Sequence, residues 1–181
     1  MQPGILLPIL TSGTDTGVVI DMGQFECRAI AIAFGRPILP SYVTIPVGVS
    51  AALRCFCARL PTCTGQPTQN MNVANNLFFV VATGEPDPDD IPVSQPCVGI
   101  NDAAFVLPGA MRRACLQVLI DGTLEAEDET NDDEFGGVSG LLAECLRRCN
   151  HDVRAVVVES VLFTGGGAMI PGTVGVTAVE Q

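Results

Sequence analysis

The chain contains no tryptophan, a single tyrosine and a single histidine in 181 residues. With His151 as its only imidazole, and with neither a Gly-x-Ser-x-Gly elbow nor a Cys/His pairing, it lacks the usual nucleophile–base sets of hydrolases. The position of His151 at a helix end suits a capping role better than that of a catalytic base. Basic residues are also scarce. Nine face twenty acids, for a net charge of −11. Phosphates would repel such a surface, which excludes a nucleic-acid partner, whereas a basic protein partner fits it. No apolar run approaches the ~18 residues that a membrane-spanning helix needs. The first residues lack the basic stretch of a signal peptide, and Pro3 and Pro8 break a helix there. These absences predict a soluble, intracellular chain with no membrane partner.

What is present is apolar. Hydrophobic residues make up 48% of the chain and mean hydropathy is +0.39, enough for a real core and too much for a disordered polymer. The length predicts one domain. Much of the negative charge is local, since 125–134 (EAEDETNDDE) holds seven acids in ten residues, the composition of a solvated loop. The eight cysteines would suit disulfides in a secreted protein; in a reducing compartment they are expected as buried thiols. Neither Cys55, Cys57 and Cys63 nor Cys145, Cys149 and His151 forms two paired ligand knuckles, so no metal site is expected.

Periodicity organises the rest. Val18–Asp21 and Ala29–Ala33 are apolar and partly β-branched, predicting a hairpin, and Gly35-Arg36-Pro37 turns the chain into a third strand at Ile38-Leu39. Apolar residues at Val49, Ala52, Leu53, Phe56 and Leu60 predict a helix ended by Pro61. A helix is expected over Met71–Val81, irregular chain over 84–90, and short strands over Val98–Val106. A short helix is expected to open at Leu107-Pro108-Gly109-Ala110, with Pro108 in its first turn. Ser139 is the expected N-cap of a helix whose Leu141, Leu142, Cys145, Leu146 and Cys149 share one face. Val161–Phe163 is the last expected strand.

Two strings stand out. Gly17-Val18-Val19-Ile20-Asp21-Met22-Gly23 is a strand that delivers an Asp and a Gly to a tight turn. Ser160-Val161-Leu162-Phe163-Thr164-Gly165-Gly166-Gly167-Ala168-Met169-Ile170-Pro171-Gly172 is a strand that runs into three glycines. Strand-then-glycine turns bring backbone N–H groups up to phosphates or nucleosides. Between them lie Gly35-Arg36-Pro37-Ile38-Leu39-Pro40, Phe105-Val106-Leu107-Pro108-Gly109-Ala110 and Cys145-Leu146-Arg147-Arg148-Cys149-Asn150-His151-Asp152-Val153-Arg154. In this order the segments resemble the second half of the actin and actin-related protein family. They correspond to its second phosphate loop, Gly-x-x-Leu-Pro turn, aromatic-x-x-Pro segment, Cys-x-x-Asp-x-Arg helix junction and Gly-Gly-x-x-x-x-Pro-Gly adenosine motif.

The resemblance implies an α/β, ribonuclease-H-like half of an actin fold, truncated at both ends and carrying a small insertion. Residues 1–60 would form the hinge and first part of the lobe, 61–125 an insertion subdomain, and 126–181 a return to the lobe through the acidic loop, a helix and the adenosine-type turn. It places a vestigial nucleotide site at Asp21, Gly23, Gly165, Gly166, Gly167 and Met169. Working family members write the phosphate loop Asp-Ser-Gly-Asp-Gly-Val; here Gln24 replaces the second acid and Phe25 the following Gly, so a side chain enters where backbone should approach phosphate. Ala74-Asn75 stand where the family has its adenine-contacting Lys-Glu pair. No cofactor is therefore expected, bound ATP with magnesium being the alternative, and no hydrolysis. The implied role is structural. The chain would pack on other actin-fold or actin-related proteins in a dynactin-type complex of the cytoplasmic cytoskeleton, or alternatively in a nuclear chromatin-remodelling assembly. After Pro171-Gly172 the expected final strand of the sheet is missing, which would leave an apolar edge.

Overall fold

The computed structural model describes residues 5, 7–64, 90–93, 105–122 and 136–170. The expected helix over 71–81, Ala74-Asn75, the acidic run 125–134 and the tail after Gly172 lie outside them.

The described chain is mixed α/β. A short helix α1 (Leu7–Thr11) precedes strands β1 (Gly17–Met22), β2 (Cys27–Ala33), β3 (Arg36–Pro37) and β4 (Val43–Ile45). Helix α2 (Val49–Thr64) follows. Strands β5 (Asp90–Val93) and β6 (Phe105–Pro108) form a separate antiparallel pair. Helices α3 (Gly109–Asp121), α4 (Gly137–Arg147) and α5 (His151–Val157) lead to β7 (Val161–Thr164). No helix among the described residues is long and apolar enough to cross a membrane.

The main sheet is mixed. β1 and β2 form the predicted antiparallel hairpin, from Gly17 opposite Ile32 to Met22 opposite Cys27. β7 adds to the other side of β1 in parallel, with Asp21 opposite Thr164. β3 and β4 share the outer edge of β2. The expected third strand at Ile38-Leu39 is thus replaced by two short ones separated by a 3-10 turn over Leu39–Ser41. Pro40 fixes φ and withholds a donor, which favours the turn over a continuous ladder. Ser41 repairs the interruption: its buried hydroxyl accepts from Ala31 N at 2.9 Å and donates to Ile38 O at 2.7 Å.

Both faces of the sheet are covered, which is why β1 and β2 read as continuous apolar runs instead of alternating ones. Val18, Ile20, Met22, Cys27, Ala29 and Ala31 point to the face packed by α2, α3, α4 and α5, among them Phe56, Leu60, Leu119, Leu141 and Val157. Val19, Ile30 and Ile32 point to the opposite face, against Ile5 and Ile9. Cys115 and Leu119 of α3 belong to the first cluster, so part of the stretch 61–125 packs on the sheet-covering helices.

Three helix boundaries differ from expectation. α2 continues past Pro61 to Thr64; proline cannot donate to the carbonyl four residues back, but the residues after it still can. The helix after Pro108 runs for 13 residues, with Pro108 closing β6 before it. α4 starts at Gly137, two residues before Ser139, with Gly136 as N-cap. A β-carbon on Gly137 would sit 2.3 Å from Ile120 O, so the helix begins where α3 leaves no room for a side chain. His151 does lie at a helix end, as the first residue of α5, and its side chain is 95% exposed.

Candidate functional site

The parallel pairing of β1 with β7 brings the two glycine turns to the same end of the sheet. Met22 is the hub. It is fully buried, and both turns close around it. Asp21 is half-buried beside it, paired across the strands with Thr164 on one side and Arg28 on the other.

The three glycines of the second turn have different environments. Gly165 has φ +86°, a left-handed conformation that side chains disfavour, and a β-carbon there would lie 2.6 Å from both Asp21 Oδ1 and Met22 O. Gly167 is buried, and its β-carbon would meet Met22 Cβ at 2.7 Å and Val49 Cγ2 at 3.1 Å. Gly166 has nothing within 4 Å and φ −63°. Gly165 and Gly167 are therefore required by packing inside the protein, and only Gly166 is open. The turn continues into a 3-10 segment, Gly167–Met169, that leaves Met169 78% exposed and buries Ile170.

The first turn, Gly23–Glu26, is closed by Gly23 N–H donating to Glu26 O at 3.0 Å. Its carbonyls dock on the N-terminus of α2: Val49 N–H donates to Gly23 O at 3.1 Å and Ser50 N–H to Gln24 O at 2.8 Å. Ala51 N–H donates to Gly48 O at 2.9 Å. The first N–H groups of a helix are the ones that bind anions when free; in α2 they are occupied by the protein's own carbonyls. Phe25 at the tip is 74% exposed. Glu26 carries an ion pair with Arg28, whose Nε donates at 2.8 Å.

Gly48 makes this docking fit, and sequence reasoning missed it. A β-carbon there would lie 2.7 Å from the carbonyl oxygens of both Gly23 and Gln24. The available signal was a glycine directly before a helical pattern, an ordinary N-cap preference. Its specific partners are remote in sequence.

Of the six predicted site residues, Asp21, Gly23, Gly165 and Gly167 meet around Met22, whereas Gly166 and Met169 face outward. The thiol nearest this cluster is Cys27, pushed up to about 12 by burial first and then by the Asp21 carboxylate. It is therefore protonated at neutral pH and a poor nucleophile. Cys145 and Cys149 are buried, and no group of three His, Cys, Asp or Glu side chains suited to a metal gathers among the described residues.

No protein-family model matches the chain.

A second constellation supports the helix junction. Arg154 of α5 donates from Nε to Leu146 O at 2.9 Å, and from Nη2 to Arg147 O at 3.2 Å and Cys149 O at 3.1 Å. These carbonyls end α4, where a cation also offsets the helix dipole. The spacing of Cys149, Asp152 and Arg154, read from the sequence only as a motif, thus includes a C-terminal cap.

Proposed function

We propose that the chain is an actin-related, ribonuclease-H-like lobe with a vestigial nucleotide site, and that it works as a structural subunit of a cytoskeletal assembly. The observation that carries the loss of catalysis is the engagement of the α2 N-terminus by the Gly23 and Gln24 carbonyls. Donors that would stabilise a phosphate are internally satisfied, and Phe25 stands where a second glycine would let a ligand approach. The chain also contains no lysine, so it cannot supply the family's adenine-contacting residue. A hairpin-led sheet whose later strand joins β1 in parallel is compatible with the actin-like reading. The partner remains the one the resemblance implies, another actin-fold protein, in an assembly of the dynactin type.

Two measurements test the proposal. Magnesium-ATP is expected to leave the melting temperature unchanged; a stabilisation that Asp21→Ala abolishes would refute the vestigial site and favour an ATP-binding protein. Affinity purification of the tagged chain is expected to recover actin-related and dynactin subunits. Recovery of chromatin-remodelling subunits instead would assign it to the nuclear assembly and refute the cytoskeletal role.

A further inference from the structure

Phe34 stands against two ordinary preferences. Its φ of +52° is left-handed, where a β-carbon is disfavoured, and its side chain is 73% exposed. With Gly35 at φ +71° it makes the tight turn between β2 and β3, a position that asparagine or glycine ordinarily fills. The turn is nonetheless clamped. Phe34 N–H donates to Thr16 Oγ1 at 2.9 Å, Gly35 N–H donates to Asp15 O at 2.7 Å, and the Thr16 hydroxyl donates on to Asp15 Oδ1 at 2.8 Å. An aromatic side chain held in the open on a rigid, unfavourable turn has the arrangement of a preorganised contact anchor. Charge flanks it. In the sheet order β3-β2-β1, exposed Arg36 of β3 lies on one side of the turn and exposed Asp15, two residues before β1, on the other. No ion pair engages either of them among the described residues. Strand addition gains little at this outer edge, because β3 is two residues long and Pro37 and Pro40 withhold donors. Side chains must carry the contact.

We propose that the Phe34-Gly35 turn is an interaction surface for a second copy of this chain, joined about a two-fold axis. Such a contact needs a self-complementary patch, in which the partner of each residue lies on the same patch of the other copy. One apolar anchor between one acid and one base meets that condition. With the axis at Phe34, the two phenyl rings pack on each other and Asp15 of each copy faces Arg36 of the other, so two ion pairs flank an aromatic pair. A patch bearing a single sign of charge would instead select a partner of opposite sign. Leu39, 62% exposed past Arg36 on the same edge, widens the apolar part. An anchor of this size belongs to the smallest interface class, below about 1,200 Å² in total, and the dimer is accordingly weak. The net charge of −11 opposes it at long range; salt at ~0.15 M screens charges more than about 8 Å apart and spares the contacts at the turn. The inference does not depend on the actin-like reading.

Sedimentation velocity of the full chain, from about 1 μM to about 1 mM in ~0.15 M salt, reads the monomer–dimer equilibrium. A dimer is expected at the upper end. Phe34→Asn should weaken it at least about tenfold while raising the melting temperature, so the loss cannot come from misfolding. Asp15→Arg alone and Arg36→Asp alone put like charges into both cross pairs, and each should abolish the dimer. Mixing these two single variants should restore association as a one-to-one heterodimer, because every cross pair is again opposite in sign. A monomer at every concentration would overturn the proposal. So would a dimer that Phe34→Asn leaves intact, or two charge variants that stay apart when mixed.

Discussion

Alanine substitution at three consecutive glycines separates a packing role from a ligand-binding one. In Gly165→Ala the new β-carbon must occupy φ +86° at 2.6 Å from Asp21 Oδ1 and Met22 O. The left-handed conformation costs about 1–2 kcal/mol and the overlap with backbone about 1–3 more, giving a loss of about 2–5 kcal/mol. In Gly167→Ala the conformation is ordinary, but Met22 Cβ at 2.7 Å cannot swing away as a side-chain end would, so about 1–3 kcal/mol is expected. Gly166→Ala has open space and helical dihedrals, and stabilises by about 0.4–1 kcal/mol through the unfolded chain. Urea unfolding with a common slope gives the ranking directly; for a slope of about 2 kcal/mol per molar, Gly165→Ala should lower the midpoint by about 1–2 M. A cost at Gly166 equal to that at Gly165, or a Gly165→Ala protein as stable as the parent, would refute the reasoning.

Arg154→Ala removes a charged donor from three carbonyls at the end of α4, and should cost about 1.5–3 kcal/mol in denaturant titration. Arg154→Lys should recover only part, since an ammonium cannot reproduce the planar fork. Phe34 has φ +52° in the two-residue turn between β2 and β3, and its side chain is 73% exposed; Phe34→Asn should therefore raise stability by up to about 1 kcal/mol, read as a higher melting temperature. Glu144 accepts from Arg147 and Arg148, and these hydrogen bonds hold its carboxyl down to about 2 from the usual 4.5. Its folded value lies below its unfolded one, so the stabilisation is complete above the unfolded value and is lost as pH falls through the folded one. Glu144→Gln should flatten the stability profile across that acid window, and carboxyl NMR titration checks the folded value.

The β1–β2 hairpin, β7 and the buried stripe of α4 were legible because each rests on local pattern: β-branched runs, a four-residue turn, and apolar residues at helical spacing. The outer edge of the sheet was less so. Pro40 favours a turn after Ile38, but that the turn is tied back to β2 depends on Ser41 reaching Ala31, a contact between chain segments that no local propensity encodes. Pro61 misled for a related reason: it removes one hydrogen bond, but Leu60 and its neighbours are already committed to a helix packed on the sheet.

The amino-acid order by itself determined an apolar α/β chain, acidic, with two strand-and-glycine turns, the first of them carrying Gln24 and Phe25. Only the tertiary structure decided what those turns do. Three adjacent glycines are chemically identical in sequence, yet packing makes two of them obligatory and leaves the third free. Likewise, the α2 N-terminus has donors in any sequence reading. They are satisfied because Gly48 lets the carbonyls of a turn three strands earlier dock on them. Local propensity fixes which segments become strands and turns; the fate of a hydrogen-bonding group depends on which distant atoms the fold brings within 3 Å or so of it.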